Sequence, residues 1–181
     1  MAEHWRHVWQ SSEVLGEYLS AHHYLFDGCT VLELGSGCTG IPGLVAAKCG
    51  AKLVVFTDHP ECDEAFKILQ QNCNENGLDE NSFLIKDLDW NDSNIEQVLD
   101  DVHMLHYILA ADVFYDIEVF EALIRTVGSL LRMYQKATCI FAYEERKSFA
   151  DINCLRWMKA FQIRSDNSYD LCIHRLPVLL I

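Results

Sequence analysis

At 181 residues and 20.8 kDa, half of them apolar, the chain is one domain long and can build one substantial core. It has no run of about 18 uncharged apolar residues, as a membrane helix requires, and its start, Met1-Ala2-Glu3-His4-Trp5-Arg6, lacks the apolar stretch of a signal peptide. The balance of 14 Lys+Arg against 27 Asp+Glu leaves a net charge of −13, a surface that repels phosphate backbones and disfavours direct nucleic-acid binding.

The expectation is therefore a single domain over residues 1–181, a monomer in the cytoplasm or nucleus with no membrane partner. Such a charge attracts a basic protein, although acidity that only maintains solubility explains it equally well. The eight cysteines include no CxxC pair, so close-pair zinc sites are unsupported, and most read as small apolar core residues in a reducing compartment. His4, His7, His22 and His23 lack a carboxylate or Cys at ligand spacing and read as surface residues; no metal is expected.

Along the chain, apolar runs alternate with helical patterns, which predicts an α/β fold with a mostly parallel sheet. Val8-Trp9 leads into a helix with a core stripe of Val14, Leu15, Tyr18 and Leu19. Asp27-Gly28 turns into a first strand, Cys29 to Leu34, and a glycine-rich loop then opens a helix from about Ile41 to Cys49, closed by Gly50. Lys52 to Thr57 reads as strand two, ending at Asp58. Pro60 sits near the start of a helix whose apolar face is Ala65, Phe66, Leu69 and Cys73, and Gly77 ends it. Ser82 to Lys86 is a short third strand, and the polar segment Asn91 to Asp101 predicts a short surface helix. His106 to Ala111 is strand four. Val119, Phe120, Leu123, Ile124, Val127, Leu130 and Leu131 keep helical spacing, Thr138 to Tyr143 is strand five, and Phe149 to Met158 a last helix. Closing strands are expected around Ala160–Arg164 and Leu171–Ile181.

Gly35-Ser36-Gly37-Cys38-Thr39-Gly40 reads GxGxxG between a strand and a helix, and Asp58 follows about 20 residues later, where an acid grips a ribose. This pattern fits a nicotinamide or flavin dinucleotide as well as an adenosyl cofactor. Glu33, just before the loop, shifts the balance, because a carboxylate there repels a diphosphate but suits a ligand carrying sulfonium and ammonium cations.

Five ordered motifs then resemble the seven-β-strand methyltransferase family 16, whose members carry a DxxY signature. They are Val8-Trp9, Leu32-Glu33-Leu34-Gly35-Ser36-Gly37, Thr57-Asp58, Leu88-Asp89-Trp90 and Ala111-Asp112-Val113-Phe114-Tyr115. Leu25 to Thr30 and Glu145 to Phe149 resemble a lysine-directed branch; Ala46 to Ala51 resembles one associated with histone arginine. The resemblance implies a Rossmann-like seven-stranded sheet with helices on both faces, here with shortened C-terminal strands, and S-adenosyl-L-methionine as cofactor. Two departures stand out: the third loop glycine comes one residue late, so Cys38 or Thr39 reads as an insertion, and the C-terminal part is short.

By that resemblance Gly35, Ser36 and Gly37 lie against the cofactor beside Glu33, and Asp58 accepts hydrogen bonds from the ribose hydroxyls. Trp90 stands by the adenine, Trp9 forms the pocket's N-terminal wall, and Ala111 is a small position at the end of strand four, where ligand crevices open in such sheets. Asp112 and Tyr115 are the candidates for chemistry. The structural alternatives are a capping Asp58, core tryptophans, and an Asp112 that caps the next helix with Tyr115 packed on it. Glu144, Glu145 and Arg146 read as a solvated turn that could meet a basic substrate. The function expected is methylation of lysine on a basic protein. Arginine methylation, a nicotinamide-dependent oxidoreductase and a non-catalytic adenosyl-binding scaffold are the alternatives.

Overall fold

The computed structural model describes residues 4–92, 94–114 and 117–143, together with the backbone of two short strands at 164–166 and 172–176. Five strands run parallel: β1 (Thr30–Leu34), β2 (Leu53–Asp58), β3 (Phe83–Asp87), β4 (Tyr107–Ala111) and β5 (Thr138–Tyr143). Two antiparallel strands, β6 (Arg164–Asp166) and β7 (Cys172–Leu176), extend the sheet beyond β5 and give the order β3-β2-β1-β4-β5-β7-β6. The helices are α1 (Gln10–Ala21), α2 (Ile41–Lys48), α3 (Asp63–Glu75), α4 (Ile95–Val98) and α5 (Ile117–Met133).

Strand alternation divides the core between the two faces. Leu32, Leu34, Val55, Ile108, Ala110, Cys139 and Phe141 point to the face covered by α5, whose Leu123, Val127, Leu130 and Leu131 complete that cluster. Val31, Leu109, Ile140 and Ala142 point the other way, toward Leu15, Tyr18 and Leu19 of α1 and Ala46 of α2. On the same side of β2, Val54 and Phe56 meet Leu69 and Cys73 of α3. Gly16 lets α1 approach α2 closely, since a Cβ there would stand 3.3 Å from the Val45 Cγ2.

The segment around 91–101 departs from the expected surface helix. Its single turn, α4, carries Ile95 inward, and Leu99, Val102 and Leu105 follow it into the core beside α5. Four apolar residues at spacings of 4, 3 and 3 outweigh a local composition dominated by Asp, Asn and Glu. Of the closing strands, β6 starts only at the last residue of the first expected range, and β7 lies within the second. The helix expected at Phe149–Met158 lies outside the described residues.

The order of strands places the topological switch between β1 and β4, where the chain reverses its direction of winding. Crevices in such sheets open outside the carboxyl ends of the strands at that point. The ends of β1, β2, β3 and β4 deliver Gly35, His59, Leu88 and Asp112 to one edge of the sheet.

Candidate active site at the sheet's carboxyl edge

The glycine loop leaves β1 through backbone that a side chain would obstruct. Gly35 and Gly37 have φ of +66° and +56°, in the left-handed region that glycine adopts without strain. A Cβ on Gly35 would stand 2.9 Å from the Val113 Cγ1 and 3.6 Å from the Trp90 Cζ2, so the loop passes directly between the β3 and β4 exits. Ser36 is buried and stitches β1 to β2: its N–H donates to the Thr57 carbonyl at 3.0 Å, and its Oγ accepts the Thr57 N–H at 3.2 Å.

Asp58, at the end of β2, is held by both oxygens. Its Oδ2 accepts the Gly37 N–H at 2.7 Å, its Oδ1 the His59 N–H at 2.7 Å, and the Cys62 thiol approaches Oδ1 at 3.7 Å. Burial pushes the Asp58 carboxyl above its ordinary range, while the His59 and Gly37 amides pull it back. The carboxylate thus faces the glycine loop, and it caps neither α2 nor α3, whose first turns have no side-chain cap.

Glu33 takes a place the sequence did not foretell. Strand alternation turns it with Val31 toward the α2 face, where it is 2% exposed and its Oε2 accepts the Gly43 N–H at 2.9 Å. Burial raises its pKa to about 8, with the Gly43 hydrogen bond opposing and Asp58 reinforcing the rise. At neutral pH the group is mostly protonated, so repulsion of a diphosphate by a Glu33 charge carries little weight.

On the β4 side, Ala111 pairs with Ala142, and Asp112 follows with φ of +55°, a conformation Asp tolerates better than most residues. Its N–H donates to the Ala142 carbonyl at 2.9 Å, and the residue is buried. Strained backbone of this kind concentrates at functional sites. Val113 then abuts Gly35, and Phe114 packs edge-on against Phe120 and Tyr143. Tyr115, the second candidate for chemistry, lies outside the described residues, as do Glu144, Glu145 and Arg146.

Trp90 leans on the core that contains Val113, its ring edge against Gly35 and its buried Nε1 without a hydrogen-bond partner among the described residues. The His59 Nε2 lies 3.6 Å from the Asp89 Oδ2, which ties the loop after Asp58 to the residue before Trp90. Trp9 begins α1: its carbonyl accepts the Ser12 N–H at 2.9 Å and Oγ at 2.6 Å. The residue on the glycine loop itself is Trp5, whose carbonyl accepts the Cys38 N–H at 3.0 Å. Sequence reasoning missed Trp5; a large aromatic ahead of the first helix was the one signal available. The turn that carries the extra loop residue, 37–39, is where Trp5 attaches.

The profile of a family described as lysine methyltransferase matches residues 2–171. The chain belongs to this family. Similar proteins include the histone-arginine methyltransferase METTL23 of Rattus norvegicus, 34% identical over 142 residues that make up 78% of this chain and 60% of that protein. Methyltransferase-like protein 22 of Mus musculus is 31% identical over 175 residues, 82% of this chain and 42% of its own length. The protein-lysine N-methyltransferase EFM3 of Chaetomium thermophilum is 31% identical over 143 residues, 77% and 42% of the two chains. The chain thus spans about two-fifths to three-fifths of these relatives. Among solved structures, the ribosomal protein L11 methylase of Lactobacillus delbrueckii subsp. bulgaricus superposes with a TM-score of 0.63 at 18% identity, covering 93% of this chain and 79% of that one. TrmK of M. capricolum, solved with S-adenosyl-homocysteine, gives 0.56 at 9% identity over 94% and 69%. The fold is the α/β, Rossmann-like methyltransferase fold that the motifs implied.

Proposed function

We propose that this chain is an S-adenosyl-L-methionine-dependent protein methyltransferase that modifies lysine on a basic protein. The observation that carries the reading is convergence: Gly35 to Gly37, Asp58, Trp90 and Asp112 leave four different strands and meet at one sheet edge beside the topological switch. These residues fit an adenosyl cofactor. The left-handed glycines let the loop turn tightly past the strand ends, Asp58 offers a carboxylate to hydroxyls, and Trp90 offers an indole.

Bound there, the cofactor would supply a methyl group carried on a sulfonium, from which an amine nucleophile could displace the neutral sulfur. The protein's share is alignment and desolvation. A lysine amine with a reference pKa of about 10.4 must arrive without its proton, and burial favours that neutral form. Asp112, fixed by its backbone bond to Ala142, orients the amine by accepting one of its N–H groups. Tyr115 remains the second candidate for chemistry in this reading, and the net charge of −13 favours a basic partner. Arginine methylation is the second reading, favoured by the 34% identity to a histone-arginine methyltransferase; a guanidinium stays charged and needs a stronger acidic grip.

Calorimetric titration with S-adenosylmethionine, S-adenosylhomocysteine and NAD in parallel tests the cofactor. Binding of the adenosyl compounds alone is expected; binding of NAD alone would overturn the reading. Incubation with Lys-rich and Arg-rich basic peptides, followed by mass spectrometry, then decides the target residue.

A further inference from the structure

We propose that Trp5 and Arg6 form a strap that positions the glycine loop and Asp58 for the cofactor, the juxtaposition being Trp5 seated between Cys38 of the loop and Cys62 at the start of α3. The proposal rests on the adenosyl-cofactor reading above. Residues His4–Arg6 form a single 3-10 turn ahead of α1 and reach the sheet edge on their own account. The Trp5 carbonyl accepts the Cys38 N–H at 3.0 Å, and the same oxygen lies 3.0 Å from where a Gly37 Cβ would stand. The absent side chain of Gly37 is therefore space that the strap fills. The Trp5 ring packs with Cys38, Cys62 and Ala65 in a small apolar cluster apart from the main core.

Two of those contacts bear on Asp58. Gly37, beneath the Trp5 carbonyl, donates its N–H to Oδ2, and Cys62, against the Trp5 ring, directs its thiol at Oδ1. One side chain and its carbonyl thus brace the donor to Oδ2 and the weaker of the two groups at Oδ1, whose nearer partner is the His59 N–H at 2.7 Å. Arg6 secures the far end: its guanidinium lies 4.7 Å over the Trp5 ring, and its Nη2 meets the Glu64 carboxylate of α3 at 2.9 Å. Both members of that pair are substantially exposed, so it orients the strap and contributes little energy. The ring supplies the anchorage. A loop already held in its binding conformation does not have to be ordered when the ligand arrives, which raises affinity without any new contact to the ligand. Trp5 and Arg6 are positioning residues in this scheme.

The experiment titrates the full chain with S-adenosylhomocysteine in wild type, Trp5→Ala, Trp5→Phe, Arg6→Glu, Glu64→Arg and the double reversal. Hydrogen exchange at Gly37 and Cys38 and the unfolding midpoint are measured alongside. Trp5→Ala is expected to raise Kd tenfold or more and to speed exchange at those two amides, with exchange in β1 and β4 unchanged. Trp5→Phe should stay within about threefold of wild type. Each single charge reversal should weaken binding a few-fold, and the double should recover most of that loss. A Kd for Trp5→Ala within twofold of wild type overturns the strap, as does uniformly faster exchange across β1 and β4 with an equal loss in Trp5→Phe. Where Trp5→Ala does not fold, Trp5→Leu takes its place, and a Kd within twofold of wild type with unchanged exchange at both amides overturns the proposal. Wild type that fails to bind S-adenosylhomocysteine while Trp5→Ala still frees the two amides would overturn the cofactor reading and leave the strap standing.

Discussion

Replacing Glu33 by Gln isolates the cost of an ionisable group inside the sheet–α2 layer. With a folded pKa of about 8 against an ordinary 4.5, the folded chain holds a proton on Glu33 across a window where the unfolded chain has released it. Stability contributed by that proton is complete below the unfolded value and declines as pH rises toward the folded one, at up to about 1.4 kcal/mol per pH unit. Between pH 5 and 7.5 the wild type should lose on the order of 3 kcal/mol from this source alone. The glutamine has nearly the same shape, and its carbonyl can accept the Gly43 N–H that Glu33 accepts at 2.9 Å, with no proton to lose. Its NH2 brings a pH-independent penalty of about 1–3 kcal/mol if it finds no acceptor. The informative quantity is therefore the slope. Urea unfolding of both proteins at pH 5, 6, 7 and 7.5 should show the stability difference moving in favour of Glu33→Gln by on the order of 3 kcal/mol. Parallel pH profiles would refute the reasoning and show that the Glu33 carboxyl is not the linked group.

Other substitutions separate binding from chemistry. Asp58→Asn sets an NH2 against one of two backbone N–H donors, and calorimetry should show the adenosyl cofactor bound at least tenfold more weakly. Asp112→Asn keeps a residue that tolerates φ of +55°, so cofactor binding should persist while methyl transfer, followed by mass spectrometry, falls about 100-fold or more. Gly40→Ala forces a Cβ to 2.4 Å from the Leu69 Cδ1 and 2.9 Å from the Phe56 Cε1 at φ of +54°. Thermal unfolding should report a loss of about 3 kcal/mol or more. Leu123→Ala empties a fully buried site beneath the sheet and should cost about 3–4 kcal/mol in urea unfolding, with cofactor affinity little changed in the folded fraction.

The longer helices were legible because their apolar residues are periodic, as α5 buries Phe120, Leu123, Val127 and Leu130, and the strands because they are short runs between turn residues, β1 being buried at every position. The edge on which the site assembles was legible for a different reason. Gly35, Asp58, Trp90 and Asp112 each stand just after or at the end of a strand, and parallel strands bring such ends together. Side-chain direction was not legible at Glu33, because a residue at the end of a strand can serve either the loop or the layer beneath it. Strand alternation puts it on the side of Val31, and only the packing of α2 on that side shows that its partner is the Gly43 N–H. The buried Ile95, Leu99, Val102 and Leu105 were masked by the acidic residues among them, and Trp5 by a contact that spans 33 positions to Cys38. Long-range packing of that kind leaves no periodic trace.

The glycine motif shows why one pattern serves unlike cofactors. At each glycine of the loop and first turn of α2, the space a Cβ would take is already filled by protein: Val113 and Trp90 at Gly35, Trp5 at Gly37, Leu69 and Phe56 at Gly40, and Phe56 with Glu33 at Gly43. The spacing therefore encodes a close junction of β1, α2 and the neighbouring strand ends, which any ligand of that crevice can exploit. It does not encode the ligand. Discrimination has to come from what borders the junction. Here that border holds an acid at β2, an indole at β3 and a left-handed Asp at β4, with no cation in the loop. Such a border suits a ligand that brings its own positive charge, and it would leave a diphosphate with backbone amides as its partners within the loop.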